Sequence, residues 1–242
     1  MCHRWLAAGV VAFVAVVLTR ELAPVLRQPA PYDTALATGL LGSRLRTWFR
    51  SRLRPVAERL LAAGISPNAV TWCQVATSVL CALAYAHGWM FTAGWILITC
   101  GTLDVLDGDM ARRRHQDGPY GAFIDSVVDR YSESAIYLGL VAFYRDSWVL
   151  WGVLTAWAGA FLVSYTRARA EGLGIECQEG LLQRPERYVL LGTTSLLSPV
   201  TCHLLCRPAG QHTLVVLAIC TLAVLANLTA LQRARGVLRK LA

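Results

Sequence analysis

The sequence predicts an all-α membrane protein: a bundle of six transmembrane helices, preceded by a basic amphipathic juxtamembrane helix and an additional short apolar segment at the N-terminus. Three observations carry this prediction. Hydrophobic residues make up 55% of the 242 residues and charged residues 16%, with a mean hydropathy of +0.46, which is more apolar surface than a soluble core of this length buries. Six stretches approach the roughly 20 apolar residues that a bilayer-spanning helix needs. The cations are gathered into alternate connections between those stretches, as the positive-inside rule requires of a multi-pass protein.

Taken in order, the chain divides into residues 1–40, 41–65 and 66–242. The stretch from Trp5 to Leu18 is apolar but short, with no small-x-small cleavage site and no cysteine placed for lipidation. It reads as an extra anchor, a peripheral helix or an artefact of start-site choice. After loop-like text from Pro29 to Leu40, Leu45, Trp48, Phe49, Leu53, Val56, Leu60 and Leu61 recur at helical spacing among arginines, with Pro55 a point of kinking. Such a helix suits the bilayer surface, its arginines among lipid phosphates; the alternative is a solvated helix packed on another protein. Gly64 ends it, and Ser66-Pro67 opens the first span with a cap residue and a proline at the first helical position. The spans are laid out at Ala69 to Trp89, Met90 to Leu106, Tyr120 to Tyr144, Trp148 to Tyr165, Tyr188 to Leu205 and Thr213 to Leu231. Trp89, Trp148 and Trp151 at their ends read as interfacial anchors.

The formal charge of +8 does not indicate nucleic acid, because the cations lie beside the spans. They precede the first span (Arg44 to Arg59), separate the second from the third (Arg112 to Arg114) and the fourth from the fifth (Arg167, Arg169, Arg184, Arg187), and follow the sixth. All these connections therefore face the cytoplasm, in the inner membrane of a bacterial-type cell. The eight cysteines include no CxxC, and most sit in apolar runs where cysteine packs as a small hydrophobe; Cys202 and Cys206 are the one disulfide or metal candidate. His115 reads as a solvent-facing loop residue.

The chemistry is concentrated between Asp104 and Asp129. Asp104 and Asp107 are three apart at the end of one predicted helix, Asp125 and Asp129 four apart near the start of the next, so each pair shares a helical face. A short connection predicts that the two helices are antiparallel neighbours whose four carboxylates converge just inside the cytoplasmic boundary. Two carboxylates about 4 Å apart repel by roughly 4 kcal/mol at an effective dielectric near 20, so the cluster requires cations. Oxygen-only ligands favour hard ions such as Mg²⁺, Ca²⁺ or Mn²⁺ over zinc, and two divalent ions, Mg²⁺ or Mn²⁺ as the expected cofactors, would neutralise four carboxylates. Such a centre at a lipid interface points to phosphoryl or phosphatidyl chemistry. Gly108 allows a ligand close to the helix backbone, and Arg112, one turn on, offers a planar fork for phosphate. A divalent-cation carrier or channel also places acids in membrane helices, but it predicts polar residues across the whole bilayer, and here the acids crowd one end.

Asp104-x2-Asp107-Gly108-x2-Ala111-Arg112-x8-Gly121-x3-Asp125-x3-Asp129 resembles the signature of the CDP-alcohol phosphotransferase family at every fixed position. The resemblance implies a six-helix bundle, usually a homodimer, that cleaves a CDP-lipid in a cytoplasm-facing cavity. It implies that Asp104, Asp107 and Asp125 hold metal, and that Asp129 helps hold the second metal and acts as general base. It further implies that Asn68, Thr71, Gly108 and Arg112 contact the CDP portion, with Gly118 and Gly121 keeping that pocket open.

A second cluster runs Ser164-Tyr-Thr-Arg167-Ala-Arg169-Ala-Glu171 and then Gln183-Arg184-Pro-Glu-Arg187. Paired arginines at helix ends beside the cavity suit an anionic acceptor such as a sugar or polyol phosphate. The text is similar to the branch of the family that makes phosphatidylinositol phosphate from inositol 1-phosphate, with Gln183 replacing a glutamate and Arg167 standing where lysine is common. That similarity implies that Ser164, Arg167, Arg187 and Arg233 bind the acceptor phosphate. Glycerol 3-phosphate is the rival acceptor.

Overall fold

The computed structural model describes residues 42–114, 118–177, 180, 182–204 and 212–241. The N-terminal apolar segment, His115 and Cys206 lie outside the described residues. Within them the chain forms seven helices and no strand: α1 (Gly42–Ala62), α2 (Pro67–Ala86), α3 (Met90–Arg113), α4 (Pro119–Tyr144), α5 (Val149–Glu171), α6 (Arg184–Leu204) and α7 (Thr213–Leu241). Four of them, α2, α3, α5 and α7, are long and apolar enough to cross a membrane. In the other two long helices after α1 charged residues interrupt or open the apolar text: α4 carries Asp125, Asp129, Arg130 and Glu133, and α6 opens on Arg184, Glu186 and Arg187.

Local signals at the first junction act as expected. Gly64 adopts a left-handed φ of +79°, letting the Ile65 N–H return to the Leu60 carbonyl at 3.0 Å and close α1. The Ser66 hydroxyl accepts from the Ala69 N–H at 3.2 Å, and Pro67 stands at the first helical position. Helix α1 continues through Pro55. Several helices outrun the apolar stretches: α3 continues from Leu106 to Arg113, α5 to Glu171 and α7 to Leu241. Hydropathy marks where a helix leaves apolar surroundings, but backbone hydrogen bonding carries it on. Pairs one turn apart, Arg113 to Asp109 and Arg167 to Glu171, each at 2.7 Å, support the extra turns.

Following the packed neighbours, the six helices after α1 close a ring in the order α2, α4, α5, α7, α6, α3 and back to α2. One expectation is corrected here. The two aspartate-bearing helices, α3 and α4, share no extended packing face; α2 lies between them and packs on both. From its place between them, α2 brings two neutral hydrogen-bonding side chains to the acids, Thr71 to Asp107 and Gln74 to Asp104 and Asp129.

Small residues allow the close approaches. A side chain at Gly139 of α4 would collide with the Ala82 backbone of α2, and one at Gly94 of α3 would fall 2.8 Å from the Gly192 carbonyl of α6. In a bilayer, where burial supplies no net drive between helices, such contacts are a main source of packing energy. Gly139→Leu is therefore expected to cost about 1–3 kcal/mol or more and to lower the detergent-solubilised melting temperature, whereas Gly108→Ala, which meets nothing closer than the Arg112 guanidinium at 3.5 Å, leaves it unchanged. Equal melting temperatures for the two variants would contradict this packing.

Helix α1 lies outside the ring on α3. Ala57 is buried with Val70, Leu106 and Met110, flanked by Leu53, Leu60, Leu61 and Leu103, so much of its apolar face is covered by its own chain. Arg113 of α3 donates to Glu58 at 3.1 Å, and Arg46 pairs with buried Glu186 and donates to Gln183 at 2.8 Å. Hydrogen bonding from Arg54, reinforced by the positive charge of Arg113, holds the Glu58 carboxyl below its ordinary range.

Candidate functional site

The last turns of α3 and the first turns of α4 meet at one end of the ring. Asp104, Asp107 and Asp125 each present a carboxylate oxygen, and the three oxygens lie within 4.8 Å of one another. Asp107 is buried and held from two sides: the Thr71 hydroxyl donates to its Oδ2 at 2.9 Å and the Gly108 N–H to its Oδ1 at 2.7 Å. Asp125 is exposed toward the cavity. Three hard oxygens that close fit a hard divalent cation.

Asp129 stands apart from that set of three. Its Oδ1 is ion-paired to the Arg184 guanidinium of α6, and the same Nη1 donates to Asp104 Oδ1 at 2.8 Å. Gln74 of α2, fully buried, reaches both carboxylates from the other side, with Nε2 3.5 Å from Asp104 and 3.3 Å from Asp129. The four expected acids thus share one end of the bundle, three meeting directly and the fourth linked through an arginine.

Beside them opens a cavity of about 640 Å³. Its lining includes Asp104, Asp125, Asp129 and Arg184 together with Ser164, Arg167, Arg187 and Arg233. All four residues expected at the acceptor phosphate therefore reach one space. They are not idle there. Arg187 is buried and grips Glu133 of α4 through both carboxylate oxygens, at 2.7 and 2.9 Å. Arg233 donates to the Val163 carbonyl at 2.7 Å, Arg167 to Glu171 at 2.7 Å, and the Ser164 hydroxyl to the Ala160 carbonyl at 3.2 Å.

Of the residues expected at the CDP portion, Thr71 touches the metal set through Asp107, and Gly108 follows it directly. Arg112 is half-exposed and 3.9 Å from Asp109, leaving its fork open to a ligand. Asn68 is exposed in the first turn of α2; Gly118 caps α4 and Gly121 lies in its first turn. The contacts of Gln74, Glu133 and Arg184 were not anticipated. Two of them had a signal: Gln74 is a lone amide three residues after Thr71 in an apolar run, and Glu133 is an acid one turn beyond Asp129 in a helix expected to span.

Known proteins resemble this chain over most of its length. It is 34% identical over 198 residues to a phosphatidylinositol phosphate synthase of Cutibacterium acnes, an alignment covering 77% of this chain and 92% of the relative. It is 35% identical over 154 residues to an archaetidylinositol phosphate synthase of Methanothermobacter thermautotrophicus, covering 64% and 76%. The fold matches crystal structures of Mycobacterium tuberculosis phosphatidylinositol phosphate synthase, one with manganese and citrate and one with CDP-DAG bound. Both superpose with a TM-score of 0.66 at 29% identity over 76% of this chain, and over 87% and 92% of theirs. Residues 64–221, which hold the aspartate cluster and the Arg184–Arg187 segment, match the family directly, and the chain belongs to the CDP-alcohol phosphatidyltransferase family.

Proposed function

We propose that the protein transfers the phosphatidyl group of a CDP-lipid such as CDP-diacylglycerol to the hydroxyl of a phosphorylated polyol, favouring inositol 1-phosphate, with release of CMP. The observation that carries this reading is one cavity whose lining includes Asp104, Asp125 and Asp129 of the cluster and Arg167, Arg187 and Arg233. An anionic substrate is drawn to the arginines while its hydroxyl reaches the carboxylates. Neutral acceptors such as serine have no use for those arginines.

Asp104, Asp107 and Asp125 would hold two Mg²⁺ or Mn²⁺ ions, and Asp129 would help hold the second. Bound divalent cations neutralise the pyrophosphate and the departing CMP. Asn68, Thr71, Gly108 and Arg112 orient the CDP portion, with Gly118 and Gly121 leaving room for it. Ser164, Arg167, Arg187 and Arg233 hold the acceptor phosphate. The Asp129 carboxylate takes the proton of the acceptor hydroxyl, whose oxygen forms the new bond to the lipid-side phosphorus. The phosphorus–oxygen bond to CMP breaks, and CMP leaves with the electron pair. Holding acceptor and CDP-lipid in one site replaces a bimolecular encounter by a positioned one.

In this reading all six helices of the ring cross the membrane, the aspartates face the cytoplasm of a bacterial-type inner membrane, and the enzyme works as a homodimer. Helix α1 lies along the inner leaflet with its remaining apolar side in the headgroup boundary, supported by the exposure of Arg50, Arg52, Arg54 and Arg59. An acceptor panel tests the function. Purified protein with CDP-diacylglycerol and Mn²⁺ is expected to release CMP with inositol 1-phosphate, weakly with glycerol 3-phosphate and negligibly with free inositol or serine, the lipid product being identified by mass. Preference for an unphosphorylated acceptor would overturn the role given to the arginines.

A further inference from the structure

Arg184 is the one cation that touches two members of the aspartate cluster at once, among the described residues. Its Nη1 bridges Asp104 and Asp129, the latter the acid that would help hold the second divalent ion, and Arg130 lies 3.7 Å from the other Asp129 oxygen. The Arg184 guanidinium is held there by Tyr188, whose hydroxyl lies 3.1 Å from Nη2 and whose ring lies 5.0 Å below Cζ. Yet its seating is incomplete. Nε of Arg184 is buried without a partner, and so is Oε1 of Gln74, the side chain that reaches the same two carboxylates. An arginine has five donors in a rigid fork, and here one of them points at nothing within the protein, in a side chain that lines the same cavity as Arg167, Arg187 and Arg233.

Two ligands therefore compete for one place. A divalent ion between Asp104 and Asp129 and the Arg184 guanidinium cannot both occupy it, since like charges at that separation repel by several kcal/mol even with substantial screening. The triad of Asp104, Asp107 and Asp125 is free of this conflict on two of its three acids. From this we infer that Arg184 is a stand-in for the second divalent cation: the first ion binds to a ready triad, and the second enters only as Arg184 swings to the anion in the cavity. Acceptor phosphate and second metal then bind cooperatively, each drawing on the same movement of one side chain. Because the coupling is reciprocal, a phosphorylated acceptor tightens the second ion by the factor by which that ion tightens the acceptor. This deepens the transferase reading and rests on it, and it makes Arg184 a positioning residue for metal loading.

The test is Mn²⁺ binding to the full-length protein in detergent, followed by electron paramagnetic resonance of the free ion and without any CDP-lipid present. Wild type is expected to bind one Mn²⁺ tightly and a second at least about tenfold more weakly, with inositol 1-phosphate narrowing that gap. Arg184→Gln is expected to bind the second ion about as tightly without the anion as wild type does with it, and to lose the anion's effect. That loss separates action through Arg184 from direct ligation of the metal by the phosphate, which Arg184→Gln would retain. Arg184→Lys, whose ammonium cannot bridge both carboxylates in the same way, is expected to fall between the two and covers failure of the glutamine variant to fold. Two equivalent ions in wild type at every anion concentration, or an unchanged anion effect in Arg184→Gln, would overturn the inference while leaving the transferase reading intact. No Mn²⁺ bound under any condition would overturn both.

Discussion

Asp129→Asn lowers kcat by about 10²–10⁴-fold, the range over which a positioned general base contributes, while leaving the fold and the first cation in place. The substitution keeps the shape of the side chain and removes its capacity to accept a proton. It also keeps the surroundings intact, because Arg184 retains Asp104 at 2.8 Å and Tyr188 at 3.1 Å. Asp107→Asn behaves differently. Asp107 belongs to the triad, and its two oxygens are already oriented by Thr71 and Gly108, so the amide places a poor ligand in a fixed position. Outer partners of metal ligands alone are worth about 10–100-fold in affinity, and a direct ligand exceeds that, so tight Mn²⁺ binding is lost together with turnover. The pair of variants separates Asp129 from the acids that bind the first ion: one variant binds that ion and does no chemistry, the other does neither. Activity of Asp129→Asn above about a tenth of wild type would remove Asp129 from the proton transfer.

The contrast between those two aspartates shows what the sequence could and could not convey. Spacing of three and four residues places each acid pair on one helical face wherever the helices go, and that much is local geometry. The helices themselves were legible for the same reason, apart from their charged ends, where apolar text stops before the backbone ladder does. What connects the faces is not local. That α2 separates α3 from α4 follows from contacts such as Gly139 on the Ala82 backbone, and no spacing within either helix encodes which partner a glycine meets. Arg184 lies about 80 residues from Asp104 and 55 from Asp129, and in sequence it looks like any positive-inside arginine. Its neighbour Arg187 looks the same, yet Arg184 ends on Asp104 of α3 and Asp129 of α4 while Arg187, three residues on, ends on Glu133, one turn further along α4. Glu133 and Gln74 were readable in principle, since polar side chains in membrane helices demand partners.

The Glu133–Arg187 pair is where structural and functional roles of an arginine can be pulled apart. Both residues are buried, and Arg187 engages both carboxylate oxygens and the Leu182 carbonyl at 3.3 Å. Removing either partner leaves an unpaired buried charge, which typically costs about 3–5 kcal/mol. Glu133→Leu and Arg187→Leu are therefore each expected to lower the melting temperature sharply. Combining them removes both charges at once, and buried pairs replaced by apolar side chains often lose little stability, so the double variant recovers most of the loss. Activity does not follow stability back. If Arg187 holds the acceptor phosphate, the double variant folds well but needs far more inositol 1-phosphate to reach half its maximal rate, with CDP-lipid dependence unchanged. If instead Arg187 serves only to satisfy Glu133, restoring stability restores turnover at ordinary acceptor concentration. The measurement that decides is the acceptor concentration dependence of the double variant, since each single variant confuses a damaged bundle with a missing ligand.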